Sequence, residues 1–193
     1  MPEEPTWAQF FDPLDALHRL GLRLGPHDIV DMGCGYGTFS VAAAQLTSGI
    51  VHAYDIEPDM LAATRANAER HSIKNVRVTL RDFVREGTDL RDGSVNYVML
   101  FNILHAEDPM VLLQEAFRIL ARGSTLAIMH WISHAQTPRG PPLNIRPSPE
   151  QCLDWLGAAG FEISPQIVEL PPYHFGLTGR KPTADNRGLA SLR

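Results

Sequence analysis

The stretch Ile29-Val30-Asp31-Met32-Gly33-Cys34-Gly35-Tyr36-Gly37-Thr38 decides how this chain is read. An apolar run enters it, and the Ala-rich segment from Phe39 to Leu46 leaves it. That order is a strand, a glycine turn and a helix. Glycines at alternate positions let the backbone bend sharply and approach a ligand closely, because no Cβ stands in the way. The first turn of the following helix offers free N–H groups at the same place. In open α/β sheets such a turn holds a nucleotide-like cofactor at a strand end.

Strand and helix patterns alternate outward from the turn. Leu14, Leu17, Leu20 and Leu24, with Phe10 and Phe11 before them, recur at helical spacing and predict a helix over 7–24, which Pro13 starts or bends and Gly25-Pro26 ends. Strands are predicted at 28–32, 50–54, 76–80, 94–101 and 125–130, and helices at 38–47, 58–71 and 109–120, the last stopped by Gly123. The segment 137–149 carries Pro138, Pro141, Pro142, Pro147 and Pro149, so it is read as a surface excursion. A helix over 150–159 and two adjacent strands, 161–170 and 173–180, complete the pattern. The predicted fold is α/β: a Rossmann-like, doubly wound, mostly parallel seven-stranded sheet with an antiparallel last strand.

The chain has 193 residues, enough for one sizeable core. It is read as one domain over 1–181, with 1–25 as an N-terminal helical cover, 134–149 as the Pro-rich excursion and 182–193 as a mobile tail. The net charge of −5 argues against non-specific nucleic-acid binding, which needs a basic face. Two cysteines, Cys34 and Cys152, make no disulfide framework, and the eight histidines show no metal-ligand spacing. No apolar run is long enough for a membrane span. A cytoplasmic protein with no metal and no membrane insertion is expected, either monomer or homodimer.

Two cofactors compete for the turn. A dinucleotide site needs G-x-G-x-x-G, whereas Gly33, Gly35 and Gly37 form G-x-G-x-G. Asp55 ends the second strand about 20 residues on, where a carboxylate accepts from both ribose hydroxyls in either reading. The ordered set of motifs then separates them. Val30 to Gly37 resembles the first motif of class I S-adenosylmethionine-dependent methyltransferases, and Asp55-Ile56-Glu57-Pro58-Asp59-Met60-Leu61 resembles their second. Arg81-Asp82-Phe83 resembles their adenine-binding motif, Val98 to His105 their fourth, and Glu115 to Leu120 the helix that follows. The subgroup most similar is the small-molecule branch that includes ubiquinone and menaquinone biosynthesis methyltransferases.

The resemblance implies S-adenosyl-L-methionine as co-substrate and assigns roles. Gly33, Cys34, Gly35, Tyr36 and Gly37 lie against its methionine part, and Asp31 orders the turn or reaches the amino group. Asp55 binds the ribose diol, Ile56 packs on adenine, and Met60 belongs to the same motif. Asp82 accepts from the adenine amino group, the Phe83 N–H faces a ring nitrogen, and the Phe101 carbonyl meets the methionine ammonium. Asn96 stands where the fourth strand of this family often begins with an acidic residue.

Methyl transfer from a sulfonium is an in-line displacement, so the protein's main task is alignment. A general base is needed only where the acceptor loses a proton. Asn102, His105 and His130 are the acceptor-side candidates: they follow or end strands, where the ligand crevice forms. His105 has two open roles, proton acceptor or a residue that caps or packs against the next helix. Cys34 is read as packing, His134 as exposed, and Arg139 and Arg146 as solvated or as contacts for an anionic acceptor. The expected partner is a small-molecule acceptor, with no nucleic acid. An RNA or protein methyltransferase and a non-catalytic cofactor-binding protein are the alternatives on the same fold.

Overall fold

The computed structural model describes residues 12–183. The predicted helical positions Trp7, Phe10 and Phe11, and the tail from 184 onward, lie outside the described residues. Helix α1 spans Pro13–Arg19. Asp12 caps it by accepting from the Leu14 and Asp15 backbone N–H groups, and Pro13 stands at the first position, where its missing N–H costs nothing. The helix stops short of the expected residue 24, because the chain turns at Gly21 with φ 86°.

The remaining elements are β1 Ile29–Met32, α2 Thr38–Gln45, β2 Val51–Asp55, α3 Pro58–Arg70, β3 Val76–Leu80, the single-turn α4 Phe83–Glu86, β4 Val95–Phe101, α5 Pro109–Ile119, β5 Leu120–Trp131, α6 Pro149–Ala158, β6 Glu162–Ile163, β7 Val168–Leu170 and β8 His174–Arg180. The sheet order is β3-β2-β1-β4-β5-β8-β6, with β7 also paired to β8. Strands β3, β2, β1, β4 and β5 run parallel, and β8 is antiparallel to β5.

Two of the predicted elements need correction. The sheet has eight strands, one more than predicted, because the strand expected over 161–170 is broken. Its two pieces, β6 and β7, pair with opposite ends of β8, and Pro165 between them has no N–H for the ladder. Gly123 does not stop α5. The helix ends where Leu120 turns extended, and Gly123 bends the early part of β5 with φ 75°. Asn96 replaces an acidic residue without loss of the local tie: its side-chain oxygen accepts from the Asp28 N–H and joins the entry of β1 to β4.

Burial follows strand alternation. In β4, Val98 and Leu100 face α5 and α6, while Tyr97, Met99 and Phe101 face α1 and α2. Both faces are covered, so the central strands read as continuous apolar runs. From β1 the chain winds outward through β2 to β3, then returns to place β4 on the other side of β1. That reversal leaves a crevice beyond the carboxyl ends of β1 and β4, the usual ligand position in such sheets. The glycine turn leaves β1 at this point, and Asn102 leaves β4.

Candidate active site

A cavity of about 460 Å³ opens at the crevice. One end is bounded by Asp55, Ile56 and Phe83, the middle by Asp31 and the turn residues Gly33 to Tyr36, and the other end by Asn102, Ile103, His105 and Trp131. The turn is pinned from both sides. The Gly35 N–H donates to Asp55 Oδ2 at 2.9 Å, and the Gly35 carbonyl accepts from Thr64 Oγ1 at 2.8 Å. Thr64 Oγ1 also lies 3.5 Å from Cys34 Sγ. Cys34 packs: burial pushes its thiol pKa well above the ordinary value, so it is not poised as a nucleophile.

The two carboxylates differ. Asp55 accepts from backbone N–H groups at both oxygens, Gly35 at Oδ2 and Glu57 at Oδ1, and each oxygen keeps a further lone pair. Asp31 is buried and accepts from Ser40 Oγ at 2.6 Å. Burial lifts its pKa to about 7, and the nearby Asp55 charge adds to this, while the Ser40 hydrogen bond opposes it. A cation placed beside Asp31 would draw the carboxyl back to its charged form.

Asn102 adopts φ 55°, its N–H donates to the Met129 carbonyl, and its buried Oδ1 has no hydrogen-bond partner among the described residues. An orphaned buried acceptor at a cavity wall costs stability unless a ligand supplies a donor.

The Pro-rich excursion covers the Trp131 end. Gly140 lies on the Trp131 indole, with φ 105°: a Cβ there would come within 2.8 Å of the ring. Only glycine suits both the backbone angle and the approach. Arg146 is buried, contrary to the solvated reading, and it holds the loop together. Its guanidinium donates to the carbonyls of Pro141, Ile132, Ala135 and Arg139 and to Thr137 Oγ1, at 2.7–3.4 Å. Its Cζ sits 5.6 Å from the Trp131 ring centroid. The structural role had a signal in the sequence. Prolines supply no N–H donors, so a Pro-rich turn needs an outside donor, and arginine offers five.

Of the predicted site residues, Asp31, Gly33, Cys34, Gly35, Tyr36, Asp55, Ile56, Phe83, Phe101, Asn102 and His105 line the cavity. Gly37, Met60, Asp82 and His130 are not in its lining. Gly37 and Met60 stand at the first turns of α2 and α3. Asp82 caps α4, accepting from the Arg85 N–H, and its carboxylate is 3.5 Å from the Arg85 guanidinium. His130 is fully buried behind His105. His105 does not cap α5; Asp108 does, by accepting from the Met110 N–H. Ser40, Thr64, Ile103 and Gly140 went unassigned in the sequence, because each acts through a neighbour that only folding supplies.

Residues 27–154 match the family described as a methyltransferase domain, a span that holds the glycine turn, both site carboxylates and the cavity-covering loop. The fold and the crevice thus define a methyltransferase domain. The chain belongs to the class I, S-adenosylmethionine-dependent methyltransferases. A crystal structure of a SAM-dependent methyltransferase from Aquifex aeolicus superposes with a TM-score of 0.81 at 25% identity, covering 91% of this chain and 93% of that one. The [4+2]-cyclase SpnF shares the fold alone, with a TM-score of 0.74 at 18% identity over 89% of this chain and 81% of its own. The ribosomal protein L11 methyltransferase of Methylococcus capsulatus is 36% identical over 118 residues, which are 61% of this chain and 36% of that protein. The chain therefore matches about a third of the length of that curated relative.

Proposed function

We propose that this chain transfers a methyl group from S-adenosylmethionine to a small molecule. The observation that supports the reading is one continuous cavity, lined from Asp55 to Trp131 and His105 and by Gly140 and Pro141 of the loop. Its volume lies in the range of about 300–1,000 Å³ typical of small-molecule sites. The lining fits the co-substrate, with acceptors where that molecule carries donors and positive charge. Asp55 has lone pairs for the ribose hydroxyls. Ile56 and Phe83 would flank the adenine. Asp31, Asn102 and Phe101 also line the cavity and would meet the ammonium end. Bound S-adenosylmethionine supplies an activated methyl on a sulfonium sulfur. The chain's own contribution is to hold the acceptor in line and to exclude water with Trp131 and the loop.

A second reading, methyl transfer to a protein, is favoured by the printed name of the relative from Methylococcus capsulatus, a ribosomal protein L11 methyltransferase. Calorimetry is expected to show binding of S-adenosylhomocysteine and none of NAD; the reverse result sinks the co-substrate assignment. Release of S-adenosylhomocysteine is then followed with a panel of small acceptors and, in parallel, with ribosomal protein L11. Turnover on the small acceptors supports the first reading. Turnover on the protein alone replaces it with the second, and binding without turnover on either points to a non-catalytic binding protein.

A further inference from the structure

The Trp131 end of the cavity is backed by two histidines whose hydrogen-bond order determines which ring nitrogens carry the protons. His130 Nδ1 lies 3.4 Å from the Trp131 carbonyl oxygen. A carbonyl only accepts, so Nδ1 carries the proton. A neutral imidazole has one N–H, so His130 Nε2 carries a lone pair. That Nε2 is 3.4 Å from His105 Nδ1. His105 Nδ1 is then the donor, and His105 Nε2 carries the lone pair. The rings meet edge to face, with centroids 5.5 Å apart at 72°. Both distances stand at the long end of the hydrogen-bond range.

The chain of partners holds only while His130 stays neutral, and its surroundings keep it so. Burial lowers its pKa to about 4; the Trp131 carbonyl opposes this, while His105 and Arg146 reinforce it. His174 on β8 faces it as well, itself lowered to about 3 by burial. Among the described residues, the titratable and charged groups that act on His130 are His105, His174 and Arg146, none of them acidic. Burial also lowers the pKa of His105, which lines the cavity beside Asn102 and Ile103.

We propose that His130 is a positioning residue that holds His105 in its Nδ1–H tautomer, so that His105 Nε2 takes the proton of a weakly acidic O–H or S–H acceptor. This rests on the methyl-transfer reading above. The acceptor's lone pair forms the new bond to the methyl carbon, the carbon–sulfur pair stays on sulfur, and the acceptor proton passes to His105 Nε2 and later to solvent. A neutral imidazole serves an acceptor that must lose a proton as the bond forms, and helps most where that proton is already acidic, as in phenols, enols and thiols. Tertiary amines and thioethers need no base.

Imidazole ¹⁵N NMR on the full chain without ligand tests the arrangement, using wild type, His130→Gln and His130→Leu. In the wild type, His105 and His130 are both expected as Nδ1–H tautomers. Glutamine keeps an acceptor near the Nε2 position and retains the His105 tautomer. Leucine removes it, and His105 shifts to predominantly Nε2–H, the form favoured by a free histidine side chain. Wild-type His105 protonated on Nε2 overturns the proposal, as does a His105 tautomer unchanged in a folded His130→Leu protein. If His130→Leu does not fold, the wild-type and His130→Gln spectra decide. Calorimetry with S-adenosylhomocysteine on the same samples separates the two claims: absent binding removes the methyl-transfer reading, whereas the tautomers report on the histidine pair alone. In the acceptor panel, turnover confined to acceptors with no proton to lose overturns the acceptor class.

Discussion

Replacing Gly37 by alanine puts a methyl group where Thr64 already stands. The new Cβ would lie 2.7 Å from Thr64 Cγ2, 2.9 Å from Oγ1 and 3.1 Å from Cα. Thr64 is fully buried and its Cα belongs to the backbone of α3, so it has nowhere to retreat. Gly37 also has φ 75°, a left-handed angle that costs a side-chain-bearing residue about 1–2 kcal/mol. Overpacking adds about 1–3 kcal/mol. Gly21 supplies the control: its φ is 86°, and an added Cβ meets nothing within 4 Å. Gly21→Ala should therefore lose about 1–2 kcal/mol and Gly37→Ala about 2–5 kcal/mol. Urea unfolding at constant m-value reads the difference. A second consequence concerns the site. Thr64 Oγ1 holds the Gly35 carbonyl at 2.8 Å, so a displaced Thr64 moves the turn. A cost of about 1.4 kcal/mol at the ligand is a tenfold loss of affinity, and at least that is expected for S-adenosylhomocysteine with Gly37→Ala and none with Gly21→Ala. Equal destabilisation in the two variants, or unchanged affinity in Gly37→Ala, refutes the reasoning.

Three further outcomes follow from the same geometry. Asp55→Ala removes the proposed ribose acceptor and the partner of the Gly35 N–H; charge-assisted bonds contribute about 1.5–3 kcal/mol each, so calorimetry should show at least a tenfold loss of S-adenosylhomocysteine affinity, and an unchanged value would remove Asp55 from the site. Arg146→Met leaves the oxygens of the Pro-rich loop without their donor, so trypsin should cut after Arg139 at least about tenfold faster, and Arg146→Lys should not restore protection, since an ammonium lacks the five-donor fork; equal cutting rates would show that the loop does not depend on Arg146. The buried ionisable groups give opposite pH signatures. Asp31, raised from 3.8 to about 7, binds a proton in the folded state first, so relative to Asp31→Asn the wild type gains on the order of 4 kcal/mol as pH falls through 7, levelling off below 3.8. His130, lowered from 6.5 to about 4, does the reverse: relative to His130→Gln the wild type loses on the order of 3 kcal/mol as pH falls from 6.5 through 4, and urea midpoints that stay parallel across this range contradict both assignments.

Elements set by local pattern were legible before folding. The glycine turn, the apolar runs of β1 and β4 and the prolines at the starts of α1, α3 and α5 each carry their cause within a few neighbouring residues. The break between β6 and β7 was visible only in part. Pro165 marks a residue without a ladder donor, yet whether a strand resumes after it depends on β8 lying alongside. Gly123 shows the converse error. A glycine after a helical run is a common stop signal, but here the pairing of Leu120 with Val95 draws the chain into β5 first.

The site divides along the same line. The glycine-turn side of the cavity was legible in the chain alone, because Gly33 to Tyr36, Asp55 and Phe83 stand at fixed distances along the sequence. Only the tertiary structure brings the Trp131 side together. His105 and His130 are 25 residues apart and meet because β5 lies beside β4. Arg146 and Gly140 close over Trp131 because a loop without its own donors folds onto the nearest ring and carbonyls. Local pattern specifies backbone conformation; which side chains converge on a cavity depends on contacts distant in sequence, which no spacing within the chain encodes.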